Sequence, residues 1–134
     1  MTDDIEVRIA RALTGQGSAE FTTPSGPTQT LMGELLEEHN LQGYAQLCNV
    51  LAQAYPGNRP YVRGCIPAQI RNFLIKHRGV DVSSLEAWGT DNLGWEEELR
   101  ETLRNPLMFE AKIEEIAGEI KDREHEAPER KRYG

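Results

Sequence analysis

Most of the side chains that could do chemistry in this chain fall in one stretch. Between His39 and Val80 there is no aspartate or glutamate, while Arg59, Arg63, Arg71, Lys76 and Arg78 all lie there. The other 10 basic residues stand against all 22 acidic ones, and the net charge is −7. A window of that length at the mean acid content would hold about 7 acids. Arginine carries a planar fork that grips a carboxylate or a phosphate at two points. An aromatic ring among arginines, here Tyr61, adds a platform for stacking. Arg59, Tyr61, Arg63, Arg71 and Arg78 are therefore the candidate partner-binding residues. Two other uses of the same charge compete with a protein partner. One is nucleic acid, whose phosphates and exposed bases suit arginine and tyrosine. The other is internal balance, with the acidic stretches at 94–104 and 107–124 packed beside the basic segment.

Other chemistries lack their residues. Cys48 and Cys65 have no histidine or cysteine at ligand spacing, so neither a metal nor a cofactor is expected. Cys48 reads as a core residue and Cys65 as a free thiol. His39 lies at the edge of an apolar face with no partner spaced to join it. Glu37-Glu38, Glu96-Glu97-Glu98 and Glu114-Glu115 read as solvated helix faces. Gly15 and Gly17 follow no strand, which excludes a phosphate loop. No serine or cysteine has a histidine and an acid at a spacing that makes a triad legible.

These residues need elements to position them. At 134 residues with 38% hydrophobic content, the chain fits one soluble domain. The segment 41–55, LQGYAQLCNVLAQAY, has no charge and is apolar most of the way round a helix. It reads as a buried central helix with one polar strip, Gln42, Gln46, Asn49 and Gln53. Before it, Asp3 or Asp4 caps a first helix bearing Ile5, Ile9, Ala12 and Leu13. Residues 14–29 read as a loop. Thr28 or Thr30 caps a second helix, with Leu31, Met32, Leu35, Leu36 and His39 on one face, and Asn40 ends it in a left-handed conformation.

After the central helix, 55–65 is rich in turn residues, and Ile66-Pro67 opens a helix with proline in its first turn. The core face of that helix is Ile66, Ile70, Phe73, Leu74 and His77. A helix-turn-helix built from these two helices would need a connection of 3 or 4 residues, and this one reads as about 10. Ser83 or Ser84 caps a short helix that Gly89 stops. A helix with Trp95, Leu99 and Leu103 inward breaks at Asn105-Pro106. The last helix, 107–124, has a narrow stripe of Phe109, Ile113, Ile116 and Ile120, which can lie on the domain or on a second chain. The tail 126–134 is polar.

Arg71-Asn72-Phe73-Leu74-Ile75-Lys76-His77 resembles the Arg-x4–6-His signature of the HEPN family of all-α ribonucleases. The resemblance covers these seven residues and the helical class. It implies metal-independent RNA cleavage by two copies of the motif meeting across a dimer. Arg71 would then stabilise the phosphate, His77 transfer a proton and Asn72 position. On a helix, Arg71 and His77 stand about 120° apart around the axis. That places His77 in the apolar stripe with Ile70, Phe73 and Leu74, where it reads as a core histidine.

The expectation is an all-α protein, a compact bundle of about five to six helices around 41–55. It forms a single domain over 1–125 with a tail at 126–134. It reads as cytoplasmic, since no secretory signal or membrane span is legible, and as a binding or regulatory protein rather than an enzyme, since no catalytic motif is specific enough to set a reaction. Its expected partner is a protein, with nucleic acid as the second class and a homodimer through 107–124 as a further option.

Overall fold

The described residues are almost entirely helical. The computed structural model describes residues 4–14, 26–54 and 59–133, and their side chains except at 59–63 and 125–133. The described residues form seven α-helices and one 3-10 turn, with no strand. This is an all-α fold with one helix more than the upper expectation.

Helix α1 (Ile5–Leu13) starts at Asp4, whose Oδ1 accepts from the Glu6 N–H at 3.5 Å. Arg8 ties it to α2 (Gly26–Glu37), donating to both carboxylate oxygens of Glu38 at 2.7 and 2.8 Å and to Glu34 at 3.3 Å. Helix α2 begins earlier than expected. Thr28 and Thr30 lie inside it, and Thr28 is buried instead of capping. Of the loop expected at 14–29, residues 15–25 lie outside the described residues.

The corner from α2 to α3 (Leu41–Ala54) corrects the expected cap. His39, not Asn40, takes the left-handed conformation, with φ 60°. The N–H groups of His39 and Asn40 donate to the carbonyls of Leu36 (3.0 Å) and Leu35 (2.8 Å), which closes the end of α2 in a Schellman pattern. Asn40 is thereby released to start α3, and its Oδ1 accepts from the Gly43 N–H at 2.9 Å. Gly43 also admits α1 at close range. A Cβ there would stand 2.9 Å from the Ile5 Cδ1 and 2.8 Å from the Asn40 amide nitrogen.

Leu41, Tyr44, Leu47, Cys48 and Leu51 of α3 are buried, as a helix apolar around most of its surface requires. Two residues of its polar strip meet other elements, while Gln53 at the end of the strip is exposed. Gln42 donates to Glu110 at 3.1 Å, and the Asn49 amide donates to the Leu103 carbonyl. Tyr44 stacks on Phe109 at 5.9 Å, and its buried hydroxyl is satisfied by Gln69.

Helix α4 (Arg59–Arg78) starts seven residues before the expected Ile66. It runs through Pro67 with one intrahelical bond missing, where the expectation had proline in the first turn. The connection from α3 is therefore residues 55–58, which themselves lie outside the described residues. The length objection to a helix-turn-helix falls with that correction. Ile66, Ile70, Phe73 and Leu74 face the core as expected.

Helix α5 (Val82–Asp91) is capped by Asp81 instead of Ser83 or Ser84, and it runs through Gly89 rather than stopping there. The Asp81 Oδ2 accepts from the Ser84 N–H at 3.2 Å and from the Ser83 hydroxyl. An aspartate two residues before Ser83 takes the cap because it offers an ionised acceptor to the serines. Gly94, at φ 91°, turns the chain into α6 (Trp95–Glu101), and a 3-10 turn follows at Thr102–Arg104. Asn105 accepts from the Leu107 N–H at 3.1 Å and starts α7 (Pro106–Tyr133), with Pro106 in the first position. The backbone of α7 stays helical through Tyr133, so the residues expected as a tail continue the helix. Phe109, Ile113, Ile116 and Ile120 are fully buried within the chain's own core, where α7 packs chiefly on α3. No described helix is long and apolar enough to cross a membrane.

Candidate partner surface

Helix α4 turns one face to the core and distributes the other among three neighbours. The Arg71 Nη2 donates to Glu96 at 2.8 Å, and its guanidinium lies 5.4 Å from the Trp95 ring centroid. Lys76 pairs with Glu37. Arg78 forks onto Glu114, Nε to Oε1 at 2.7 Å and Nη2 to Oε2 at 3.3 Å, and lies 4.8 Å over Phe73. These three cations of the acid-free segment each meet a carboxylate from an acidic helix. Seven residues is about 10.5 Å along a helix. Arg71 and Arg78 therefore reach different helices, α6 and α7, and do not share one site. The side chains of Arg59, Tyr61 and Arg63 lie outside the described residues.

Beside Arg71 the surface opens into a cleft of about 680 Å³ between α4, α5 and α6. Ile75, Leu85 and Trp95 contribute apolar wall, and Arg71, Asn72 and Glu86 contribute polar edge. Trp95 is held by an edge contact with Trp88 at 5.6 Å, and the Trp88 Nε1 donates to Glu119 at 3.3 Å. Two apolar residues on the cleft face water. Val82 is 50% exposed and Leu93 is 86% exposed. Neither was singled out from the sequence. The available signal was Leu93 itself, an apolar residue within the turn Asp91-Asn92-Leu93-Gly94.

His77 stands elsewhere, at the α2–α3 corner. Its Nδ1 is 3.1 Å from the Nε2 of His39, its Nε2 is 3.6 Å from Glu37, and its ring is 5.3 Å from Phe73. Its side chain is 14% exposed, so it is covered on most sides without being sealed. His39 does have a partner, 38 positions away, which local spacing could not show. Within one chain Arg71 and His77 face different neighbours and form no shared centre.

Charge and burial shift several groups. The hydrogen bond from Lys76 holds the Glu37 carboxyl below its ordinary range, and the bond from Arg8 does the same for Glu38. Burial pushes the Cys48 and Cys65 thiols up, and the Tyr44 phenol well up. Neither cysteine is therefore an activated nucleophile. Among the described residues no three metal-binding side chains converge.

Comparison of the chain with family models, with curated proteins and with solved structures finds no match in any of the three.

Proposed function

We propose that this chain is a binding protein that engages a protein partner through the cleft between α4, α5 and α6, with Arg71 as its polar anchor. The observation that carries this reading is the pairing of an apolar-walled cleft with Leu93 and Val82 left open on it. Leu93, at 86% exposure, and Val82 extend the apolar wall of the cleft to the surface, and a contiguous exposed apolar patch rimmed by polar residues marks an interaction site. Arg71 is half exposed, and it belongs to a residue type enriched where binding energy concentrates.

The charge pattern favours protein over nucleic acid. Arg71, Lys76 and Arg78 already meet carboxylates. A phosphate backbone would have to displace an acid at each of them, in a protein of net charge −7. A protein partner needs only to insert an apolar side chain and offer an acceptor to Arg71. Arg78, with more of its surface covered, serves the α4–α7 contact.

The test compares the wild-type chain with Leu93→Asp and Arg71→Ala. A protein captured by the wild type from its native host should be lost or strongly weakened with both variants, while both stay folded and Arg71→Ala loses no more than about 2 kcal/mol of stability. Undiminished capture by both variants refutes the cleft as the binding site.

A further inference from the structure

A second feature lies away from the cleft and does not depend on it. The left-handed turn at His39 (φ 60°) sets its ring edge-on to Phe73, with centroids 5.7 Å apart. The last turn of α4 brings His77 to the same place. Two imidazole nitrogens, His39 Nε2 and His77 Nδ1, then face each other at 3.1 Å. One ring donates and the other accepts. On the far side of His77, Nε2 faces Glu37 at 3.6 Å, and Lys76 holds that carboxylate in place. His39 is exposed, so water reaches the pair.

We propose that His39 Nε2 and His77 Nδ1 together bind one divalent transition-metal ion of the zinc, nickel or copper(II) class, with water in the remaining positions. Metal–imidazole bonds run about 2.0–2.1 Å, so two ligands at 90–109° around one ion stand about 2.8–3.4 Å apart. The 3.1 Å separation falls inside that interval, and the backbone need not move. Binding requires both facing nitrogens to be bare. Each neutral ring then carries its proton on the far nitrogen, and no net proton is lost. For His77 the far nitrogen is the one turned to Glu37. A carboxylate behind a ligating histidine fixes its tautomer and orientation, and Glu37 stands where such a group belongs. Imidazole with water suits zinc, copper and nickel, whereas calcium and magnesium take oxygen ligands. The chain supplies two ligands, which makes the ion exchangeable and leaves positions open to a further ligand.

The test is calorimetric titration of the untagged full chain with zinc chloride, and separately with nickel chloride, in a non-coordinating buffer. One site per chain is expected. His39→Asn keeps a side chain that tolerates the left-handed backbone, and His77→Gln keeps the helix. Each should weaken binding by more than the roughly tenfold expected for Glu37→Gln. His125→Ala, which alters the third histidine in the sequence, should bind as the wild type does. Independently of any variant, paramagnetic nickel should broaden the ring signals of His39 and His77 in the wild-type NMR spectrum before others. Three results overturn the proposal: no binding at millimolar metal, binding unchanged in His39→Asn, or binding lost in His125→Ala.

Discussion

Replacing Arg71 and Arg78 separately by alanine should have unequal consequences for folding, and the inequality can be worked from their surroundings. Arg71 makes one bond to Glu96, and the two side chains are 50% and 39% exposed. Such a pair contributes about 0–1 kcal/mol. Its place over Trp95 adds about 0.5–1 kcal/mol at an exposed site. The loss in Arg71→Ala should be about 0.5–2 kcal/mol. Arg78 makes two bonds to one carboxylate, is 23% exposed, and lies closer to its ring. A charged hydrogen bond is worth about 1.5–3 kcal/mol, reduced here because Glu114 is half exposed. Its position in the last turn of α4 adds about 0.3–1 kcal/mol against the helix dipole. Arg78→Ala should therefore cost about 2–3 kcal/mol, more than Arg71→Ala.

Urea titrations followed by far-UV circular dichroism measure both, and double-mutant cycles with Glu96→Ala and Glu114→Ala isolate the pairs. Equal losses for the two arginines, or a coupling below about 0.3 kcal/mol between Arg78 and Glu114, would refute the reasoning. The outcome bears directly on function. If Arg71 is expendable to the fold, a large affinity loss in Arg71→Ala belongs to the interface. An interfacial arginine lost from a desolvated pair costs about 2–5 kcal/mol, or roughly 30-fold and upward in affinity.

Two further outcomes follow from the core. Leu51 is fully buried in α3, so Leu51→Ala should cost about 2–5 kcal/mol, and a loss under about 0.5 kcal/mol in the same titration would contradict the central role of α3. Burial holds the Cys48 and Tyr44 protons above their ordinary values of 9.0 and 10.0. Their contribution to stability is complete below those values and is lost as pH rises through the raised folded ones. The thermal midpoint should fall progressively above about pH 9, and a midpoint flat to pH 11 would contradict it.

Much of the scaffold was legible because apolar periodicity records burial directly. The stripe Phe109, Ile113, Ile116 and Ile120, the α4 residues Ile66, Ile70, Phe73 and Leu74, and Leu41, Tyr44, Leu47, Cys48 and Leu51 of α3 are each buried as their spacing requires. Boundaries were less legible. Asn40, Asp81 and Pro67 could each take more than one capping or first-turn role. In the fold, His39 takes the left-handed corner, Asp81 captures two serines, and α4 reaches back to Arg59 through its proline.

The sequence by itself determined the all-α class, the buried central helix and the presence of an acid-free basic segment within an acidic chain. Those properties depend on residue type and on spacings of three and four. Only the tertiary structure decided which acid meets which arginine, that Leu93 and Val82 stay open on a cleft, and that His39 meets His77 across 38 positions. Helical periodicity tells that a face is covered, not by what. The covering side chain comes from an element whose distance along the chain leaves no mark in the local pattern.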